Sequence, residues 1–367
     1  MRIVILGLSI TSSWGNGHAT TYRALVKGLA ARGHDVLFLE RDVPWYRMNR
    51  DLPAPPGCRT VLYADLDRLQ RDHARAIRTA DLVIVGSFVP DGIAVGDFVL
   101  EDATGVTAFY DIDTPVTLAR LADGVEYLAP AQIPAYDLYL SFTGGPTLDV
   151  LRDRYGANAP RALYCSVDLD SYYPEPRARE AYDLGYLGTY SEDRQAGVDR
   201  LLLQPAQRWA EGRFLVAGAQ YPAGTRWPAN VDHVDHVPPG RHRAFYNSLR
   251  YALNVTRRDM VAAGYSPSVR LFEAAACGTP IVSDSWAGIE QFFTPAREIL
   301  LANDAEHALK YLLDVPEHDR REVARRARER VRREHSAERR AAQLEHYVGE
   351  MAGSTEVVAS LTERPAS

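Results

Sequence analysis

The chain is poor in cysteine and in lysine, and it has no long apolar run. Three cysteines, Cys58, Cys165 and Cys277, form an odd set without paired spacing. That excludes a disulfide scaffold and the usual zinc motifs, and fits reduced thiols in a cytoplasmic protein. Lys27 and Lys310 are the only lysines among 42 basic residues, a coding bias expected of a bacterial source. No apolar stretch approaches the roughly 20 residues that span a bilayer, so no membrane span is expected. The chain opens on an apolar strand, RIVILGL, without the basic and apolar regions of a signal peptide. A Walker loop and the G-x-G-x-x-G dinucleotide pattern are also missing. A net charge of −6 argues against a general nucleic-acid partner. The one strongly basic stretch, Asp319 to Arg340, mixes in glutamates at helical spacing and reads as a solvated helix face.

What the chain does have is alternation. Its 367 residues suggest about two domains. Short apolar runs alternate with segments of helical period, the pattern of parallel sheets with crossover helices. RIVILGL is followed by a helix with Tyr22, Leu25, Val26 and Leu29 on one face and a stop at Gly33. DVLFLE, DLVIVGS, GVTAFYD, YDLYLSF and RALYCSV continue the series. After the polar, proline-bearing stretch DLDSYYPEPRARE the alternation restarts with YDLGYLG, RFLVAG, YALNVT, TPIVSD and EILLA. The expected architecture is α/β, with Rossmann-like domains over residues 1–168 and 169–335 and a disordered tail over 352–367.

Three clusters carry candidate chemistry. In GYSPSVRLFEAAACGTPIVSD, Ser266-Pro267-Ser268 opens a helix with a capping hydroxyl and a proline in its early turn. Glu273 lies inside that helix, backed by small alanines that let it sit close to a sheet, and Gly278 ends it. Such a carboxylate can accept hydrogen bonds from ribose hydroxyls while the helix start takes phosphate oxygens. It can equally be an ordinary surface glutamate. The turn SSWGNGH sets Gly15, Gly17 and His18 at a helix start. There glycines allow positive φ and close backbone approach, and the helix N-terminus favours negative charge. An imidazole with an ordinary pKa of about 6.5 suits a general base. Holding a donor by a hydrogen bond, or no chemical task, remain open for His18. Asp111 and Asp113 form a D-x-D, which suits a hard cation. Their place at a strand end running into Thr114-Pro115 suits acceptor binding, or orienting His18, better, and no metal is expected. His233 and His236 in VDHVDHVPPG read as a short strand entering a Pro-Pro loop, while Trp14, Trp45 and Tyr46 either stack on an acceptor or pack.

FEAAACGTPIVSD followed by GIEQFF resembles the donor-binding stretch of GT-B glycosyltransferases, in particular the family-1-like group that includes spore-maturation CgeB-like proteins. CSVDLDSYYP is similar to that family's interdomain junction, with Cys165-Ser166 where Asn-Gly is usual, and HSAERRAAQLEHYV to its closing helices. The resemblance implies two facing Rossmann-like domains and a crossover helix over 336–351 that returns to the first. It implies a nucleoside diphosphate sugar as donor substrate, an acceptor hydroxyl or amine, and no cofactor. By the same resemblance Glu273 holds the ribose and the amides around Ser266 to Ser268 meet the diphosphate. Arg257 or Arg270 neutralises it, and Arg194 matches a phosphate-binding position. Guanidinium groups there would stabilise the departing nucleotide. Gly15, Gly17 and His18 are similar to the G-x-G-H segment of inverting members, whose histidine often serves as base. The sequence departs from retaining members at Tyr265, eight residues before Glu273, where they carry a glutamate; Asp259 is the nearby alternative acid. The stereochemical outcome therefore stays open. An epimerase working on the same donor and a binding protein on a degenerate scaffold are the rival readings.

Overall fold

The computed structural model describes residues 1–362. The chain divides into two compact units. One is built from Met1–Tyr164 together with the closing helix from Ala337, the other from Cys165–Ser336.

In the first unit, β1 (Arg2–Gly7) is buried at every residue after Arg2, as a strand covered on both faces must be. It is joined by β2 (Asp35–Arg41), β3 (Arg59–Tyr63), β4 (Leu82–Gly86), β5 (Val106–Asp111), β6 (Leu138–Ser141) and β7 (Pro160–Ala162). All pairings are parallel, in the order 3-2-1-4-5-6-7. Chain direction across the sheet reverses between β1 and β4, so the loops beyond their carboxyl ends part there and leave a crevice. The helix His18–Ala31 enters from that edge. It ends where Gly33 takes φ +83° and the His34 amide donates back to the Leu29 carbonyl.

The closing helix, Ala337–Thr362, belongs to this unit. Gly28 makes the approach possible, since a Cβ there would lie 2.3 Å from the Ala337 carbonyl oxygen. Glu345 of the closing helix pairs with Arg32 at 2.5 Å and with His34. These cations hold the Glu345 carboxyl down at about 2. The helix runs on without a break past residue 351, where a disordered tail was expected. No proline stops it before Pro365, and residues 363–367 of the expected tail lie outside the described residues.

The second unit carries β8 (Tyr182–Leu187), β9 (Phe214–Ala217), β10 (Val231–Val234), β11 (Leu249–Asn254), β12 (Ile281–Ser283) and β13 (Leu300–Leu301). They form a second parallel sheet in the order 10-9-8-11-12-13, reversing between β8 and β11. Leu184, Tyr186, Phe214, Val216, Tyr251, Leu253 and Val282 fill its core. The helix Val269–Ala276 is buried from Arg270 onward and packs on the helix Glu317–Glu334. Its cap is Ser268, whose hydroxyl oxygen accepts the Arg270 amide. Pro267 therefore precedes the cap instead of occupying the first turn. Among the described residues, no helix is long and apolar enough to cross a membrane.

Candidate functional site

In the first unit the polar groups gather at the carboxyl ends of β1, β2, β4 and β5. Glu40, next to last in β2, is fully buried. Its carboxylate accepts the Ser9 and Thr11 hydroxyls at 3.0 and 2.6 Å, and the Ile10 and Thr11 amides at 2.7 and 3.0 Å. Four donors converging on one carboxylate fix the segment that leads from β1 to His18. Asn16 completes the turn, its side-chain oxygen accepting the His18 amide at 2.9 Å. Of the two candidate glycines only Gly15 takes a positive φ, +62°. Gly17 sits at φ −71°, and a Cβ there would meet nothing within 4 Å. Backbone strain does not account for that glycine.

His18 is buried, 7% exposed, with its ring edge-on to Phe88 at 5.5 Å. Phe88 itself takes φ +63°, a strained setting for an aromatic residue and one that recurs at functional sites. Nε2 of His18 lies 3.6 Å from an Asp113 carboxylate oxygen. That is too long for a hydrogen bond but within ion-pair range. Nδ1 is buried and has no hydrogen-bond partner among the described residues. Asp111 does not meet His18. Fully buried, it accepts the Tyr139 hydroxyl at 2.7 Å, the Thr117 hydroxyl at 2.9 Å and the Asp113 amide at 3.3 Å. Burial, helped by the neighbouring Asp113 charge, pushes its pKa up to about 6. The expectation that Asp111 binds an acceptor or touches the histidine is corrected accordingly. It positions the loop that presents Asp113, because both of its oxygens are already engaged inside the fold.

In the second unit the cations gather at the carboxyl ends of β8 and β11. Arg270, 9% exposed, donates from Nε to the Leu187 carbonyl at 2.5 Å and from a terminal nitrogen to the Asn254 side-chain oxygen at 3.0 Å. Its guanidinium also lies over the Tyr186 ring at 4.9 Å. Arg194 donates to the Thr189 carbonyl at 2.7 Å, and its Nε is buried without a hydrogen-bond partner among the described residues. Burial first, then the Arg270 and Arg257 charges, depress the Arg194 pKa. Neither Arg194 nor Arg270 forms an ion pair with a carboxylate among the described residues, whereas Arg257 pairs with Asp193 at 3.2 Å. Asp284, buried beyond β12, accepts the Thr256 amide and hydroxyl, both at 2.9 Å, and lies 3.4 Å from the Asn254 side-chain nitrogen. It thereby turns the Asn254 oxygen toward Arg270.

Glu273 is 2% exposed and not on the surface. One oxygen accepts the Tyr246 hydroxyl at 2.9 Å; the other is buried without a hydrogen-bond partner among the described residues. His242 stands 3.7 Å away, its Nε2 donating to the Val237 carbonyl and its Nδ1 facing the Tyr172 hydroxyl at 3.2 Å. Burial, then the Glu273 charge, raises both Tyr172 and Tyr246. Ser268 meets Arg270, and Ser266 is buried with its hydroxyl on the Met260 sulfur at 2.9 Å. Tyr265 takes φ +49° and Asp259 faces solvent. His233 stacks on Trp227 at 4.7 Å and meets Tyr221 edge-on. The charges of Arg194 and Arg270 bear on Tyr221, which sets these rings beside the cations. Among the described residues no group of three or more His, Cys, Asp or Glu could hold a metal ion.

Sequence reasoning missed Glu40, Asn254, Asp284, Tyr246 and the Tyr221 cluster. The first four were detectable only as polar residues at or next to strand ends or facing a helix; nothing in the local sequence set Tyr221 apart.

Two parallel Rossmann-like sheets with the closing helix returned to the first unit define a GT-B fold. Sucrose-phosphate synthase (tll1590) from Thermosynechococcus elongatus shares it at 16% identity and TM-score 0.68, over 96% of this chain and 100% of that one. Anabaena Alr3699/HepE, solved with UDP and glucose, matches at 11% identity and TM-score 0.68, over 95% and 100% of the two chains. An alpha-glucosyltransferase solved with UDP-glucose and DNA containing an abasic site matches at 13% identity and TM-score 0.70, over 95% and 99%. Residues 194–346 match the family model described as glycosyl transferase-like, a span that contains Arg194, Arg257, Arg270 and Glu273. No curated protein gives a significant match.

Proposed function

We propose that this chain is a glycosyltransferase that moves a sugar from a nucleoside diphosphate sugar to an acceptor hydroxyl or amine without a metal ion. The observation that carries the reading is the pair Arg194 and Arg270, two cations drawn out of water with only carbonyl, amide and hydroxyl oxygens as partners. Asp193 and Asp284 act on them without forming ion pairs, and a buried charge with no ion pair is costly unless an anion completes it. A diphosphate supplies that anion, and the UDP bound in the HepE relative is one. The partnerless Glu273 oxygen would accept a ribose hydroxyl, and the Tyr221 cluster would meet the base.

In the transfer step His18 takes the acceptor proton as the acceptor oxygen or nitrogen bonds to the sugar's anomeric carbon. The bond from that carbon to the diphosphate breaks, and the electron pair leaves with the nucleotide, where the arginines stabilise it. Asp113 stabilises the imidazolium. We place the protein in the family-1-like group and in the cytoplasm, with an acceptor other than nucleic acid. Cys58, Cys165 and Cys277, present as thiols, agree with a reducing compartment.

Thermal unfolding against a panel of nucleotide sugars tests this. A matching donor at 100 times its dissociation constant should add about 2.7 kcal/mol. Arg270→Ala and Glu273→Ala should each weaken binding about tenfold or more. Binding of no nucleotide, or equal binding after both truncations, overturns the reading. Product analysis without acceptor separates transfer from epimerisation, because an epimerase converts the free donor and a transferase at most slowly hydrolyses it.

A further inference from the structure

Glu273 stands among neighbours that include a histidine with no task in the transfer step. His242 and Tyr246 lie four residues apart on the helix Pro239–Asn247 and so face the carboxylate together. Tyr246 donates to one Glu273 oxygen at 2.9 Å, and His242 Nδ1 lies 3.7 Å from the same oxygen. Tyr172, from the segment before β8, is buried and sets its hydroxyl 3.2 Å from Nδ1. The Glu273 carboxylate is the other acceptor with which that hydroxyl interacts. Burial first, then the Glu273 charge, raises Tyr172, Tyr246 and Cys277, so all three keep their protons near neutral pH. The cations that bear on the cluster are Arg270 and Arg243, the second paired with Glu175 at 2.7 Å. A guanidinium holds its charge throughout, whereas histidine is the residue type that changes charge between about pH 5 and 8.

The bonds of the ring fix what a proton on it does. The Val237 carbonyl can only accept, so Nε2, facing it at 3.0 Å, carries hydrogen in either charge state. In the neutral ring Nδ1 is therefore bare, and it accepts the Tyr172 hydroxyl. The second Glu273 oxygen then keeps its lone pairs for an incoming donor. A proton on Nδ1 turns that nitrogen into a donor, and the Tyr172 hydrogen has to leave it. Glu273 is the acceptor it turns to, and the imidazolium now faces the same carboxylate. Both changes satisfy charge that a ribose hydroxyl would otherwise meet.

We propose that His242 is a positioning residue for the ribose contact. Its neutral ring holds the Tyr172 hydroxyl off Glu273, and its protonated ring returns that hydroxyl to the carboxylate and weakens the grip on the nucleotide. The inference rests on the donor reading and adds a pH control to that same site. Calorimetric titration of the full-length protein with UDP and with its dideoxyribose analogue, from about pH 8 to about pH 5, tests it. The two probes carry the same diphosphate, so its own titration cancels in the ratio of their affinities. In wild type the preference for UDP should fall about tenfold as the pH drops, the worth of one hydrogen bond to a charged group. His242→Gln offers a donor to Val237 and an acceptor to Tyr172 but never ionises, so it should hold the alkaline preference at every pH. His242→Phe leaves the Tyr172 hydroxyl only Glu273, so it should hold the acidic preference at every pH. A level preference in wild type, or a slope that persists in His242→Gln, overturns the proposal. So does equal preference in the two variants, the mark of a merely structural histidine. If UDP does not bind wild type at any pH, the donor reading fails instead. The histidine nitrogen resonances of the free protein then decide the switch. Nδ1 should be the nitrogen that gains the proton, and at a lower pH in Glu273→Gln than in wild type. A neutral ring with its hydrogen on Nδ1, or uptake unmoved in Glu273→Gln, overturns it without any nucleotide.

Discussion

The two sheets follow one plan and differ in the charged side chains gathered at their strand ends. Each is parallel, each reverses direction at its central pair of strands, and each collects polar side chains at its carboxyl ends. In the first unit those groups include the carboxylates Glu40, Asp111 and Asp113 and His18; in the second Arg194, Arg257 and Arg270 stand beside the buried carboxylates Glu273 and Asp284. Topology fixes where a ligand can bind, and loop residues decide which ligand. The buried charges share one further habit. Glu40 and Asp111 are held by hydroxyls and amides, and Arg270 by a carbonyl, an amide and a hydroxyl oxygen. Neutral dipoles position these groups without cancelling their charge.

The largest expected effects separate the units by function. His18→Ala should lower kcat by about 10²- to 10⁴-fold, the usual worth of a general base, and leave nucleotide affinity within about twofold. Arg270→Ala should weaken nucleotide binding about tenfold or more. Equilibrium titration with the donor found by thermal screening, beside steady-state kinetics, reads both quantities. If His18→Ala abolishes nucleotide binding, or Arg270→Ala leaves it intact, the division of labour between the sheets is wrong.

A second comparison sets Asp111 against Asp284, two buried carboxylates beyond strand ends. The Asp111 pKa rises from 3.8 to about 6, so the folded chain keeps a proton that the unfolded chain has released. Stability should therefore fall as pH climbs from about 4 to about 6 and run level above that, a span worth about 3 kcal/mol. Asp111→Asn cannot ionise and lacks this slope. Across the same window the stability difference should move in the variant's favour by up to that amount, as read by urea unfolding at several pH values. Asp284 is raised by burial too, but the Thr256 bonds and the Arg270 charge oppose it, so Asp284→Asn should show a shallower slope. Parallel curves for wild type and Asp111→Asn remove Asp111 as the titrating group.

Most of the fold was legible because a buried parallel strand must be apolar along its length. RIVILG, LVIVG and FLVA declare themselves, and the glycine stops at Gly33 and Gly278 sit where left-handed backbone requires them. RALYCSV promised a longer strand than β7, which ends at Ala162; Leu163, Cys165 and Val167 are buried outside the sheet, so apolarity there reports burial and not pairing. RTVLY, an edge strand with two exposed positions, was not legible as a strand. At the site, Arg270 and Glu273 were readable from one motif, but their partners were not. Asn254 and Leu187 reach Arg270 from 16 and 83 residues away. Glu40 gathers donors 29 to 31 residues earlier in the chain. Such contacts exist only once the sheet has set neighbouring strand ends side by side.

The smallest effect on stability tests the turn before His18, through two glycines that look alike in sequence. Gly15 has φ +62°, where any side chain is strained, so Gly15→Ala should destabilise the fold by about 1–2 kcal/mol. Gly17 has an ordinary helical φ and empty space where a Cβ would go. Gly17→Ala should leave the protein as stable as wild type or up to about 1 kcal/mol more stable, because the unfolded chain loses freedom. If that glycine serves the reaction by letting substrate approach the backbone, the same variant should lose turnover while gaining stability. Urea midpoints measured beside kinetics separate the two. Undiminished turnover in Gly17→Ala would show that nothing in the reaction comes within a methyl group's reach of that turn.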